Sequence, residues 1–147
     1  MKIPNKVLLL TTNHVGNNLI CTPAIRLLKK HNPHATLDVV VMSTRGADTF
    51  CGNPDIHKIY ATRRKNKIQK LVKEYPLVIG LHHDKAKEYL TAENKHAIVM
   101  RPYTNNKHRA DDTLDFVRGI LGCDLEEDDR RYVLCPTQHD FAIIKKC

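Results

Sequence analysis

The chain of 147 residues carries 24 Lys and Arg against 16 Asp and Glu, a formal net charge of +8, with 41% hydrophobic residues and no Trp. That length fits one ordinary domain able to bury roughly two thirds of the surface its unfolded form exposes, so no covalent staple is required for a core. Its five cysteines are odd in number and far apart, without a C-x-x-C pair, which excludes the usual zinc and dithiol patterns and fits reduced thiols in a cytosolic protein.

The chain opens with Lys2 and Lys6 around a run of four aliphatics, Val7 to Leu10. The run is too short for a signal-peptide core or a bilayer span, so the chain reads as soluble and unexported. It reads instead as a first strand. The stretch that follows, TTNHVGNNLICTPAIRLLKK, looks like the loop and helix of a phosphate-binding turn, yet neither G-x-G-x-x-G nor G-x-x-x-x-G-K-[ST] is present. Gly16 stands alone, followed by Asn17 and Asn18.

Leu19, Ile20, Ala24, Ile25, Leu27 and Leu28 form one apolar helical face, closed by Pro33. Pro23 falls inside that pattern: either the helix starts there with Thr22 as its cap, or an earlier turn is kinked against it. Leu37 to Met42 reads as a second strand. A short helix over Ala47 to Cys51 ends at Gly52, Asn53 and Pro54. Ile56 to Tyr60 is a third strand. Ile68, Leu71, Val72 and Tyr75 fit a helix whose outer side is Lys67, Lys70, Lys73 and Glu74. Leu77 to Leu81 and His96 to Met100 are the fourth and fifth strands. Leu114, Val117, Ile120 and Leu121 form a last helix with acids at its entry, stopped by Gly122.

Nearly continuous aliphatic strands alternating with amphipathic helices imply an α/β fold, a Rossmann-like parallel sheet with helices on both faces. The domain runs over 1–135. Beyond it, residues 136–147 read as the start of an interdomain linker and helix, with Thr137 as cap and Asp140 three residues on. A helix begun there suggests part of something longer.

Charge is uneven along the chain. From Asp124 onward six acids face four Lys and Arg, so the first 123 residues carry +10. Such a surplus attracts polyanions: nucleic acid, anionic lipid or a phosphorylated substrate. Nucleic acid is disfavoured, because no RNP, KH or helix-turn-helix signature occurs and aromatic residues for stacking are few.

Taken in order, KVLLLTTNHVGNNLICTPAIRLLKKHNPHATLDVVV, GNPDIHKIY, EYPLVIGLHHDK and DDTLDFVRGILGCDLEEDDRRYVL resemble glycosyltransferase family 9, the heptosyltransferases of the lipopolysaccharide inner core. The similarity extends over residues 2–146. It implies a GT-B architecture, two Rossmann-like domains facing a cleft, of which this chain is the N-terminal, acceptor-binding half. The activity implied is inverting and independent of metal or other cofactor, with transfer of a sugar, heptose in the family, from a nucleotide donor. An ADP-heptose donor would be bound by a C-terminal domain absent here. The partner implied is a phosphorylated lipopolysaccharide-core acceptor, with peripheral contact to the anionic inner membrane from the cytoplasmic side.

In the family a Gly-Asp carboxylate after the first strand is the general base, and here the matching residue is Asn17. A carboxamide orients a hydroxyl but does not take its proton, and loss of a general base typically costs about 10²- to 10⁴-fold in rate. The base then comes from His14 in the same loop, or from His82, His83 or Asp84 at the end of the fourth strand, or the site is degenerate and the chain serves as a binding module. The acceptor contacts implied are Gly16, Asn18, Thr22, His82, His83, Asp84, Arg63, Arg64 and Arg101. Arg63, Arg64, Lys65 and Lys67 crowd a helix entry, where they oppose its dipole and so favour a functional reason. RPYTNNKHR, Arg101 to Arg109, is a second basic loop for the acceptor. His82 and His83 are neighbours on a strand, point to opposite faces and do not suit one metal ion.

Overall fold

A computed structural model describes residues 2–90, 94, 96–104 and 106–135. Five strands form one parallel sheet: β1 (Lys6–Leu10), β2 (Thr36–Val41), β3 (Lys58–Ala61), β4 (Leu77–Gly80) and β5 (Ala97–Val99). Their spatial order is β3-β2-β1-β4-β5. All four pairings are parallel, with β1 in the centre, Leu9 opposite Val39 on one side and Ile79 on the other.

Because side chains alternate along a strand, the aliphatic runs feed two cores at once. Val7, Leu9, Leu37, Val39, Val41, Leu77 and Ile79 pack under α2 (Thr22–His31) and α6 (Arg109–Leu121), through Ala24, Ile25, Leu28, Leu114 and Val117. Leu8, Leu10, Val40 and Val78 pack under α4 (Lys65–Glu74) and α5 (His83–Tyr89), through Ile68, Leu71, Val72 and Tyr89. The Rossmann-like sheet covered on both faces is the architecture the alternation of strands and helices implies.

The helix boundaries show how the alternatives at Pro23 resolve: a separate earlier turn precedes the helix, and Thr22 is not its cap but its first residue. A short α1 (Val15–Leu19) precedes α2, which starts with Thr22 and Pro23 in its first turn and Cys21 at its cap. The short helix expected over 47–51 lies earlier, as α3 (Thr44–Asp48), because Ser43 caps it by accepting from the Gly46 N–H. Tyr75 stands just past α4 rather than on it, which lets its hydroxyl donate to the buried Asp38 carboxylate of β2. His57 Nδ1 meets the other Asp38 oxygen at 2.8 Å. Helix α5 was not expected; its sequence, HDKAKEY, buries only Ala86 and Tyr89 and shows little periodicity. Gly122 ends α6 as expected, at φ +68°, donating its N–H to Arg118.

After Gly122 the acidic segment folds back on α2 and closes in a 3₁₀ turn, Glu127–Arg130. Lys30 binds Glu126 and Asp129 at 2.8 and 2.9 Å, and Val133 N–H donates to the Thr22 hydroxyl at 3.0 Å. Burial alone would raise the Asp129 pKa, but the Glu126 N–H and Lys30 outweigh it and hold the carboxyl below its usual range. A depressed carboxylate contributes stability above its unfolded pKa of about 3.9 and loses it as pH falls through the folded one. Asp129→Asn is therefore expected to cost about 1 kcal/mol at pH 7, discounted for the exposed lysine. In urea titrations the gap from wild type should close as pH drops below about 4. The linker expected at 136–147, with Thr137 and Asp140, lies outside the described residues. Among those described, no helix is long and apolar enough to cross a membrane.

Candidate functional site

The strand order places a crevice. The chain leaves β1 toward α2 on one face of the sheet, whereas it leaves β4 toward α5 on the opposite face. Two neighbouring strands whose exits part in this way open a hollow at their carboxyl ends, where open α/β sheets take their ligands. The loops bordering it are 11–14 and 81–82, which carry His14 and His82.

The first loop is held from below. Asn18 is fully buried; its Oδ1 accepts from Thr12 N–H at 3.2 Å, and its amide donates to the carbonyls of Thr12 and Gly46 at 3.2 and 3.1 Å. Asn18, expected to contact the acceptor, is thus corrected to a tie between the loop and α3, with both N–H groups used. Thr22 is corrected likewise. It is fully buried, its hydroxyl donating to Leu19 C=O at 2.8 Å and accepting from Val133 N–H. Position 46 must be Gly, because a Cβ there would stand 2.7 Å from Asn18 Nδ2 and 2.8 Å from Ser43 Oγ.

With Asn18 spent below, its neighbour faces the crevice. His14 and Gly16 are exposed and Asn17 is half-buried. Arg109, the first residue of α6, reaches 92 positions back to donate a long hydrogen bond, 3.5 Å, from Nη1 to Asn17 Oδ1. Its guanidinium lies 5.1 Å from the centre of the Tyr103 ring, and His82 meets the same ring edge-on at 5.7 Å. Beneath them Cys21 Sγ donates to Asn17 C=O at 3.2 Å, and burial pushes that thiol up to about 12. Asn17, His82, Tyr103 and Arg109 therefore form one group, with His14 close enough to His82 for their charges to interact.

The electrostatics of this group lean positive. Burial lowers the His82 pKa, and Arg109, Lys85 and His14 push the same way against Asp84, which favours the neutral ring. Its buried Nδ1 has no hydrogen-bond partner among the described residues, and neither does the Tyr103 hydroxyl, whose pKa burial raises to about 12. A neutral imidazole keeps one unprotonated ring nitrogen, which is chemically a proton acceptor.

The other expected residues sit on the same rim but apart from the group. The expectation that His82 and His83 are strand neighbours is corrected, since β4 ends at Gly80 and they are the cap and first residue of α5; His83 turns away, its Nδ1 meeting Met100 C=O at 2.9 Å. Asp84 is exposed in the first turn of α5. Arg63 and Arg64 follow β3, two strands from β1, and Arg63 Nε donates to Met42 C=O beside a shallow hollow lined by Ser43, Thr44 and Thr62. Arg101 is exposed beyond β5. Tyr103 and the reach of Arg109 were missed; only the general expectation that Arg101 to Arg109 is a binding loop pointed there. Among the described residues no three His, Cys, Asp or Glu side chains are grouped to hold a metal ion.

Comparison with protein-family models and with curated proteins finds no match. Solved structures do match. A family 9 glycosyl transferase from Veillonella parvula is 22% identical with a TM-score of 0.61, over 80% of this chain and 41% of that one. E. coli heptosyltransferase WaaC with ADP is 15% identical with a TM-score of 0.62, over 83% of this chain and 49% of that one. The same enzyme with ADP-2-deoxy-2-fluoro heptose is 19% identical with a TM-score of 0.57, over 95% and 53%. This chain spans about half the length of the solved structures it resembles. Its fold is that of one half of a glycosyltransferase of this kind.

Proposed function

We propose that this chain is the acceptor-binding half of a glycosyltransferase related to family 9, with the sugar nucleotide held by a second Rossmann-like half. The observation that carries this reading is that β1 and β4, neighbours in the sheet, send the chain to opposite faces, so that their exit loops part at the carboxyl edge. There the loop after β1, which the sequence resemblance matches to the family's Gly-Asp loop, brings Asn17 and His14 beside His82 and Arg109, in a fold that matches half of each transferase over most of this chain. The reaction is a single displacement: an acceptor hydroxyl attacks the anomeric carbon, the nucleoside diphosphate leaves with the bonding electrons, and the hydroxyl proton passes to a base. Asn17 and Arg109 hold the acceptor sugar beside that base. The His82 ring, held toward its neutral form, or the exposed His14 takes the proton. A phosphorylated lipopolysaccharide-core acceptor suits the basic rim of His14, Arg63, Arg64, Arg101 and Arg109. The same charge would draw the domain to anionic lipid at the inner face of a membrane.

One observation favours a second reading, a degenerate binding module. Asn17 Oδ1 is occupied by Arg109, and no carboxylate stands in the loop between Thr11 and Asn18. The discriminating measurement is sugar transfer by this chain joined to a donor-binding half. Wild-type transfer with no gain from Asn17→Asp identifies another base, whereas a gain of about 10²- to 10⁴-fold identifies a crippled site. By calorimetry the 147-residue chain alone is expected to give no heat with an ADP-sugar. Micromolar binding would place the donor site in this half and overturn the proposal.

A further inference from the structure

We propose that position 17 is the seat of an anionic oxygen of the bound sugar, a phosphate or carboxylate oxygen, and that Arg109 is the specificity-determining residue that makes it so. Calling the ligand a sugar rests on the acceptor-site reading above; the preference for an anion does not. The starting point is where the acids near Arg109 are spent. Asp111 pairs with Arg130, Asp112 accepts from the Thr104 N–H and hydroxyl, and Asp115 pairs with Lys107 and Arg118. Among the described residues no carboxylate lies within ion-pair distance of Arg109, so its charge at the crevice is not neutralised.

That charge is also held in place. The Tyr103 face supports the guanidinium at 5.1 Å, and the Asn17 carbonyl oxygen fixes one of its nitrogens. With Oδ1 turned to Arg109, the two N–H donors of the Asn17 amide and the other guanidinium N–H groups have no hydrogen-bond partner among the described residues. Donors on two sides of one crevice are what an oxyanion requires, and the fork of a guanidinium matches it with two oxygens at once. His14, exposed on the same loop, adds a further ring N–H donor.

Asparagine at 17 then does more than omit a base. An aspartate in this place would pair with Arg109 and cancel its charge, and a bound anion would face a carboxylate. The carboxamide matches the shape of the acid while leaving the arginine available, so the pair Asn17 and Arg109 selects a charged sugar over a neutral one.

The test uses the 147-residue chain and three probes of similar size: glucose, glucose 6-phosphate and glucuronate. Binding is followed by amide chemical shifts and calorimetry at low and high salt. At least one charged sugar is expected to bind ten-fold or more tightly than glucose, with an advantage that shrinks in salt; which one binds separates phosphate from carboxylate recognition. Arg109→Gln and Asn17→Asp should each remove that advantage, and Arg109→Lys should keep part of it, with urea midpoints confirming that all three variants are folded. Equal affinity for charged and neutral sugars, or charge selectivity surviving in Arg109→Gln or Asn17→Asp, overturns the proposal. The two readings fail separately: selective binding without transfer in the joined protein removes the transferase and leaves the anion seat, while transfer with charge selectivity unchanged in Arg109→Gln does the reverse.

Discussion

Asn18→Asp is expected to destabilise the chain by about 3 to 5 kcal/mol, while the same change one residue earlier, Asn17→Asp, should move stability by no more than about 0.5 kcal/mol. The two asparagines differ in what their amides meet. Both N–H groups of Asn18 donate to carbonyls, of Thr12 and Gly46, in a fully buried position. An aspartate there replaces the donating amide with an oxygen facing two carbonyl oxygens and places a charge in a fully buried position. Asn17 borders the crevice beside Arg109, which would welcome a carboxylate. Urea titration of both variants checks the contrast. Similar midpoints for the two would mean that Asn18 does not hold the loop.

Gly80→Ala is the second change with a large expected effect, about 3 kcal/mol of lost stability. Gly80 ends β4 directly beneath α5. A Cβ at 80 would lie 2.5 Å from the Ala86 Cβ and 3.4 Å from both methyl carbons of Val99. A methyl group has no rotamer by which to step aside, so the whole of α5 would have to lift from the sheet, taking with it His82 at its cap. Removing the opposing methyl is expected to relieve the clash. Gly80→Ala combined with Ala86→Gly should recover most of the loss, less about 1 kcal/mol for glycine inside a helix. A double-mutant cycle measures the coupling, and simple additivity of the two changes would rule out the close approach as its cause.

How much of this was legible in the sequence follows from the physics of each piece. The strands and their order of appearance were, because a parallel strand covered on both faces is written as an uninterrupted aliphatic run such as VLLL or LVI. The end of α6 at Gly122 was, since a left-handed residue at a helix end calls for glycine. Asp38 hides inside LDVVV, and nothing local announces that Tyr75 and His57 will meet it, since both approach from other elements. The site divides in the same way. That the loop after β1 matters could be read from strand, loop and helix; that Asn17 faces the crevice and Asn18 the interior could not, because two adjacent identical residues carry no pattern. Arg109 and Tyr103 come to Asn17 through the packing of α6 beside α2, a contact between segments far apart in the chain that composition and periodicity do not encode.

The central place of β1 also governs the timing of folding. Val7 aligns with Leu37 on one side and with Leu77 on the other, so the strand made first waits for two distant partners before its backbone groups are satisfied. Loop closures of that span slow the search, and until residue 80 has left the ribosome one edge of VLLL stays unpaired and open to aggregation.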